Sequence, residues 1–187
     1  MKIIVAITGG SGMIYARQCL DALLATEQVE QIALIVSATA EQVLSHEAIT
    51  LPSDKRIVRF GNDDMFSSVA SGSASWDTMI IVPASMGTVG RIAAGISSSL
   101  IERAADVMFK ERRRLIAVVR EAPYSLIHLR NMTIITEAGG IIIPASPSFY
   151  SRPESIEQLA ATITERIIAQ AGIAMPHYEF EGKEVKK

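Results

Sequence analysis

Five short apolar runs that do not alternate with polar residues limit what this chain can fold into: IIVAI (3–7), IALIV (32–36), MIIV (79–82), LIAVV (115–119) and GIIIP (140–144). A strand with one wet face alternates apolar and polar side chains. Unbroken Ile and Val mean two buried faces, which a parallel sheet achieves when helices cover both sides. The stretches between the runs have helical spacing. Residues 13–25 carry Ile14, Leu20, Leu23 and Leu24, and residues 38–47 follow Ser37, a suitable N-cap. Residues 98–112 and 154–171 are longer, and Ile156, Leu159, Ile163 and Ile167 stripe the last. Strand and helix alternating in this way predict an α/β fold, a Rossmann-like three-layer sandwich with a mostly parallel, doubly wound sheet. Residues 48–78 fit neither pattern and are expected to be an irregular excursion. No repeat or linker divides the chain, so residues 1–187 are expected to form one domain, with a polar tail from about residue 174.

Composition excludes several classes. The 187 residues are 49% hydrophobic, enough to bury one sizeable core. A net charge of −2 gives no general attraction to nucleic acid. The basic cluster KERRR (110–114) reads as a solvated helix end. The single cysteine, Cys19, sits beside Leu20 in a helical pattern and is expected in the core; it leaves no disulfide framework and no cysteine-based zinc site. No metal centre is expected. No apolar run approaches the ~18 residues of a membrane span, and only five apolar residues follow Lys2 before a glycine turn, unlike a signal peptide. A soluble, cytoplasmic protein with no membrane partner is the expectation. Mean hydropathy is high, at +0.27. Met65, Phe66 and Trp76 crowd the irregular stretch, which predicts exposed apolar patches and a homo-oligomer much larger than a dimer.

Folds of this kind bind ligands in the loops at the carboxyl ends of their strands. Those loops here are Thr8-Gly9-Gly10-Ser11-Gly12, Ser37, Pro83-Ala84-Ser85-Met86-Gly87-Thr88, Arg120-Glu121 and Pro144-Ala145-Ser146-Pro147. Hydroxyls, glycine amides and a guanidinium are groups that hold phosphate. A nicotinamide dinucleotide fits poorly, because the third glycine of G-x-G-x-x-G is Tyr15 and Ser37 stands where a ribose-binding acid is needed. A mononucleotide such as FMN fits better. A glycine-rich turn also serves plain tight turning, and on its own the motif leaves that alternative open.

Charged residues in the second half admit ordinary readings too. Arg103 and Lys110 are seven apart with Asp106 between them, the pattern of an exposed helical ladder. Arg120 and Glu121 end a buried run, where a charge needs a partner. Arg166 flanks an apolar stripe, Tyr150 follows a Pro-Ser-Phe loop, and Glu47 ends a helical stretch.

Taken together, TGGSG (8–12), ASGS (70–73), PASMGT (83–88), LIERAADVMFKERR (100–113), VREAPYSLIHLRNM (119–132) and PASPSFYSRPESIEQL (144–159) resemble the UbiX-type flavin prenyltransferases from end to end. The resemblance implies a dodecamer with active sites at subunit junctions. It implies transfer of a dimethylallyl group from dimethylallyl phosphate to N5 and C6 of reduced FMN, without metal. The prenylated FMN would serve a UbiD-type decarboxylase as partner. Carried over position by position, FMN contacts fall on Gly9, Gly10, Ser11, Ser37, Ser85, Met86, Gly87, Thr88 and Arg120. The prenyl phosphate falls to Lys110, Arg120, Tyr150 and Arg166, with Ser71 and Gly72 from an adjoining subunit. Ser11, Glu47, Arg103, Lys110, Arg120 and Glu121 form the catalytic polar set, Glu47 and Ser11 acting as a proton relay. Two positions depart from the family pattern: Ala84 stands where a cysteine is common, and Met65-Phe66 stand where another member has tryptophan. Two rivals remain beside this reading, an FMN-dependent cysteine decarboxylase of the same broad fold and a non-catalytic FMN carrier. The carrier would need no Lys110, Arg120, Tyr150 and Arg166 set.

Overall fold

The four central strands of the structure bury side chains on both faces, and their apolar runs follow from that. A computed structural model describes residues 1–175 of the chain. The expected polar tail lies outside the described residues except for Ala174 and Met175. Strands β1 (Lys2–Ile7), β2 (Gln31–Val36), β3 (Ile57–Phe60), β4 (Thr78–Ala84), β5 (Arg114–Val119) and β6 (Ile141–Pro144) form one sheet in the order β3-β2-β1-β4-β5-β6. Every pairing is parallel.

Along β1, Ile3, Val5 and Ile7 enter one core while Ile4 and Ala6 enter the other. The first core is closed by α1 (Met13–Leu24), α2 (Ala38–His46) and α6 (Ile156–Gln170). The second is closed by α3 (Met86–Ala93), α4 (Leu100–Lys110) and α5 (Leu126–Glu137). The result is the expected three-layer α/β sandwich. Full burial of Ile3, Ile4, Ile80 and Ile81 contributes roughly 1.5–3 kcal/mol each. Cys19 lies in the first core, and burial pushes its thiol pKa up to about 12, so it is an inert apolar filler.

Three features differ from expectation. The stretch 48–78 is not wholly irregular: it contributes edge strand β3 and a short 3-10 turn, Ser68–Ala70. Trp76 is not part of an exposed patch; it is 4% exposed and packs in the second core, whereas Phe66 is fully exposed. Helices α3 and α5 also stand in stretches for which no helix was named from the sequence. Among the described residues no helix is long and apolar enough to cross a membrane.

Strand order reverses between β1 and β4, so their carboxyl ends diverge and leave a crevice. Buried Thr8 ties the crevice together. Its hydroxyl donates to the Pro83 carbonyl at 2.8 Å, and the Ser85 amide donates to the same hydroxyl at 2.8 Å.

Candidate active site

A cavity of about 250 Å3 opens at this crevice, lined among others by Thr8, Gly9, Ser37, Ser85, Thr88 and Arg91. A larger one, about 670 Å3, opens at the opposite edge of the sheet among Asp77 and Arg112–Arg114, and it holds none of the predicted site residues. The crevice between β1 and β4 is the site that fold and chemistry favour together.

Its walls are helix N-termini. Ser37 caps α2, its Oγ accepting the Ala40 amide at 3.2 Å. Ser85 caps α3, its Oγ accepting the Thr88 amide at 3.4 Å and sharing a 3.1 Å hydrogen bond with the Thr88 hydroxyl. Exposed N–H groups and the helix dipole make such ends receptive to anions. A side chain on Gly9 would run into Thr39 Cγ2 at 2.5 Å, so only glycine lets the β1 loop lie against α2. The residues present therefore suit a phosphate-bearing polyol such as FMN.

Helix α1 is closed differently. Its N-cap, Gly12, has a left-handed backbone (φ 101) and no side chain to cap with. Glu47, at the end of α2, supplies the cap: its carboxylate accepts the Gly12 amide at 2.9 Å and the Met13 amide at 2.7 Å. Burial raises the Glu47 pKa, but the amides of Gly12 and Met13, the Ser11 side chain and the Arg120 charge lower it further, so the net position is below the ordinary carboxylate. Glu47 is therefore ionised across the working pH range.

Arg120 follows β5 and donates from Nε to the Ser11 carbonyl at 3.1 Å. The partner its position demands is thus a backbone oxygen, and the charge stays available. Glu121 turns its carboxylate to the next amide, Ala122, at 3.0 Å. Gly9, Gly10, Ser11, Ser37, Glu47, Ser85–Thr88, Arg120 and Glu121 all converge on the carboxyl edge of the sheet.

Lys110 does not join them. Helix α4 starts at the cavity, where Ser99 and Glu102 line it, and ends at Lys110 just before β5 begins at Arg114. At 1.5 Å per residue the helix carries Lys110 roughly 15 Å toward the amino edge. There Lys110 is ion-paired with Glu111 and stands against Gly72. Arg113 fixes that neighbourhood by donating to the carbonyls of Gly72 and Ala74 at 2.7 and 2.6 Å. Arg103, higher on α4, donates to the Ala70 carbonyl at 3.1 Å and pairs with Asp106 at 2.6 Å. The expected face shared by Arg103 and Lys110 is not one charge ladder, since each takes its own acid. Ser71, Gly72 and Lys110 thus form a second cluster, away from Arg120.

Arg166 is also separate. Gln18, halfway along α1, donates to the Glu157 carbonyl at 2.9 Å, and Gln28 donates to the Ala174 carbonyl at 3.2 Å near the amino edge. Arg166 lies between these levels, exposed on the solvent side of α6, and makes no ion pair among the described residues. Tyr150 is exposed in the loop after β6. Among the described residues no three His, Cys, Asp or Glu side chains gather as metal ligands.

Sequence reasoning named Thr8 only as part of the first ligand loop and missed Arg91 and Glu102. Thr8 was visible as the residue ending the first run. Arg91 and Glu102, eleven residues apart on two helices, left no local signal.

Comparison with known proteins gives a consistent result. The family model described as Flavoprotein matches residues 1–168. A flavin prenyltransferase UbiX from Thermoplasma acidophilum is 41% identical over 181 residues, covering 92% of this chain and 96% of that protein. The crystal structure of AnUbiX (PadA1) in complex with FMN and dimethylallyl pyrophosphate superposes with a TM-score of 0.88 at 38% identity, covering 96% of this chain and 98% of the other. A dodecameric FMN-dependent UbiX-like decarboxylase from Escherichia coli O157:H7 gives a TM-score of 0.90 at 33% identity, covering 97% and 100%.

Proposed function

This chain belongs to the flavoprotein family and, within it, to the UbiX-type flavin prenyltransferases; from that premise we propose that it joins the dimethylallyl group of dimethylallyl phosphate to N5 and C6 of reduced FMN, in sites built between copies of itself. The observation that carries the shared site is the separation of Lys110, Ser71 and Gly72 from Arg120 by the length of α4. One copy therefore supplies the flavin cradle, and a neighbour supplies Lys110 with Ser71 and Gly72, and Arg103 behind them. Such an arrangement suits a closed assembly, for which the dodecamer is our model.

Bound FMN supplies the nucleophilic ring. Ser37, Ser85 and the first turn of α3 (Met86, Gly87, Thr88) hold its phosphate end, and Gly9, Gly10 and Ser11 lie along it. Arg120, tethered to the Ser11 carbonyl, stands between flavin and donor and orients the donor carbon. Lys110 from the neighbour, Arg120, Tyr150 and Arg166, the last brought from a further copy because it is separate in its own chain, meet the charge that grows on the leaving phosphate, so the protein itself supplies the cations the C–O cleavage needs. Ser11 and the ionised Glu47 receive the proton lost at ring closure. Glu121 completes the polar set beside Arg120.

The cysteine decarboxylase and the carrier are not favoured, because relatives spanning nearly the whole chain are named flavin prenyltransferases. The proposed setting is the cytoplasm, with a UbiD-type decarboxylase receiving the product. The direct test is incubation with reduced FMN and dimethylallyl phosphate, followed by the mass of the flavin. A gain of one prenyl unit is expected; an unchanged mass overturns the reading. Running the diphosphate donor beside the monophosphate decides which the site prefers.

A further inference from the structure

The crevice also holds a charge pair that plays no part in the scheme above. Among the described residues lining the cavity, Arg91 is the only base and Glu102 the only acid. Glu102 is 3% exposed. One of its carboxylate oxygens accepts Arg91 Nε in a short contact. The other accepts the Ser98 amide, the Ser98 hydroxyl and the Ser99 amide at 2.9, 2.6 and 3.0 Å. Arg91 in turn donates to the Thr88 hydroxyl at 3.3 Å, and Thr88 shares its hydrogen bond with the Ser85 cap.

Three helix N-termini meet at this cavity, yet they differ in electrostatic state. The ends of α2 and α3, at Ser37 and Ser85, face it with no carboxylate of their own first turns among the lining residues. The end of α4 is closed by the carboxylate of its own Glu102, through the capping box with Ser99. That carboxylate also cancels the one cation in the wall. The cavity is therefore receptive to an anion at one end and closed to it at the other.

We propose that Glu102 and Arg91 set the polarity of the cavity, with Glu102 masking the guanidinium so that the acceptor's phosphate is confined to the amino ends of α2 and α3. This rests on reading the cavity as the place that takes that phosphate. Glu102 and Arg91 are positioning residues: they decide which way round the acceptor enters and touch no reacting atom. The hydrogen bonds from Arg91 through Thr88 to Ser85 keep the receptive end aligned.

The experiment titrates the FMN-free, full-length protein with inorganic phosphate, and separately with FMN in the presence of phosphate. In Glu102→Gln the guanidinium is unmasked, and phosphate should bind at least about tenfold tighter, the scale of one added charge-assisted hydrogen bond. In Arg91→Gln the carboxylate loses its counter-charge, and phosphate should bind several-fold weaker. The double variant should return near the wild-type value, because the two effects share one pair. Glu102→Asp, which retracts the carboxylate while leaving a charge, should shift in the same direction as Glu102→Gln and covers the case of a poorly folded variant. Loss of packing alone would weaken binding in both single variants. Shifts of the same sign, or none, overturn the proposal. Wild-type protein that binds FMN without competition from phosphate overturns this proposal and the assignment of the cavity, but leaves prenyl transfer to be judged by flavin mass.

Discussion

Glu47 Oε2 accepts the Met13 amide at 2.7 Å across 34 residues of sequence, so the end of α2 caps the start of α1. One carboxylate thereby ties the far end of α2 to the glycine loop after β1, part of the proposed flavin cradle. Because its pKa in the folded chain is lowered, its contribution to stability is complete above the unfolded value, near pH 4.3, and is lost as pH falls through the folded value. Thermal melts of wild type and Glu47→Gln should therefore differ at neutral pH, by about 1–2 kcal/mol for a lost cap, and converge on acidification. A gap that persists unchanged at pH 3 would remove the capping account.

The same residue is assigned a proton, and the two roles separate through Ser11. Ser11 is exposed; its side chain bonds the Glu47 carboxylate, and the carbonyl that holds Arg120 survives in alanine. Ser11→Ala should lower the melting temperature far less than Glu47→Gln does, while slowing prenylation by about 10²-fold or more, the cost typical of a broken acid–base relay. Glu47→Gln should slow the reaction and lower stability together. Unaltered turnover in Ser11→Ala would leave Glu47 as a cap only.

Division of the site between copies has a combinatorial test. Lys110→Ala and Arg120→Ala should each lose about 10²-fold or more in rate as pure assemblies. Dissociated, mixed in equal parts and reassembled, they should regain roughly a quarter of wild-type sites, the fraction that pairs an intact Arg120 with an intact Lys110 across a symmetric interface. No regain would place both residues in the same subunit's site.

Close approach at Gly9 is testable by repair. Gly9→Ala drives a methyl into Thr39 Cγ2 and should weaken FMN binding, with an overpacking cost of about 1–3 kcal/mol. Thr39→Ser removes that methyl carbon but keeps the Cβ contact at 2.9 Å, and should restore part of the affinity in the double variant. Fluorescence titration of FMN reads both. An additive double variant would mean that Gly9 matters for some reason other than Thr39.

Helix α5 offers a face to a neighbour. Leu126, Ile127 and Leu129 are 60%, 69% and 47% exposed on a helix that buries only Ile135. Ile127→Glu should lower the mass found by light scattering and reduce prenylation with it. An unchanged mass would direct attention to Phe66 instead.

The five Ile- and Val-rich runs showed their strands because burial on two faces leaves an unbroken apolar signature, and the observed bounds lie within a residue or two of the runs. Strand β3, with the sequence IVRF at the sheet's edge, needs no such signature, since its Val58 and Arg59 are exposed. Helix α3 was hidden by Gly87 and Gly90 within eight residues, which read as loop. Helix α5 was hidden because its apolar residues follow no inward stripe. The convergence of the residues proposed for the flavin cradle was legible because the fold places them after strand ends. The position of Lys110 was legible in principle: a residue four before a parallel strand must lie at that strand's beginning, opposite the ligand edge. The pairing of Arg91 with Glu102 and the capping of α1 by Glu47 required coordinates, because nothing in sequence spacing aligns one helix with another's start.

Helix α4 begins at its own chain's cavity and carries Lys110 away from it, in the proposed assembly to the site of a neighbour. Each subunit is then party to two reactions, and each defective subunit spoils two. In a cell making both intact and damaged copies, a chain lacking Arg120 and Lys110 together would silence partners that are themselves sound. Damage of that kind would behave as genetically dominant, whereas loss of the whole gene copy would not.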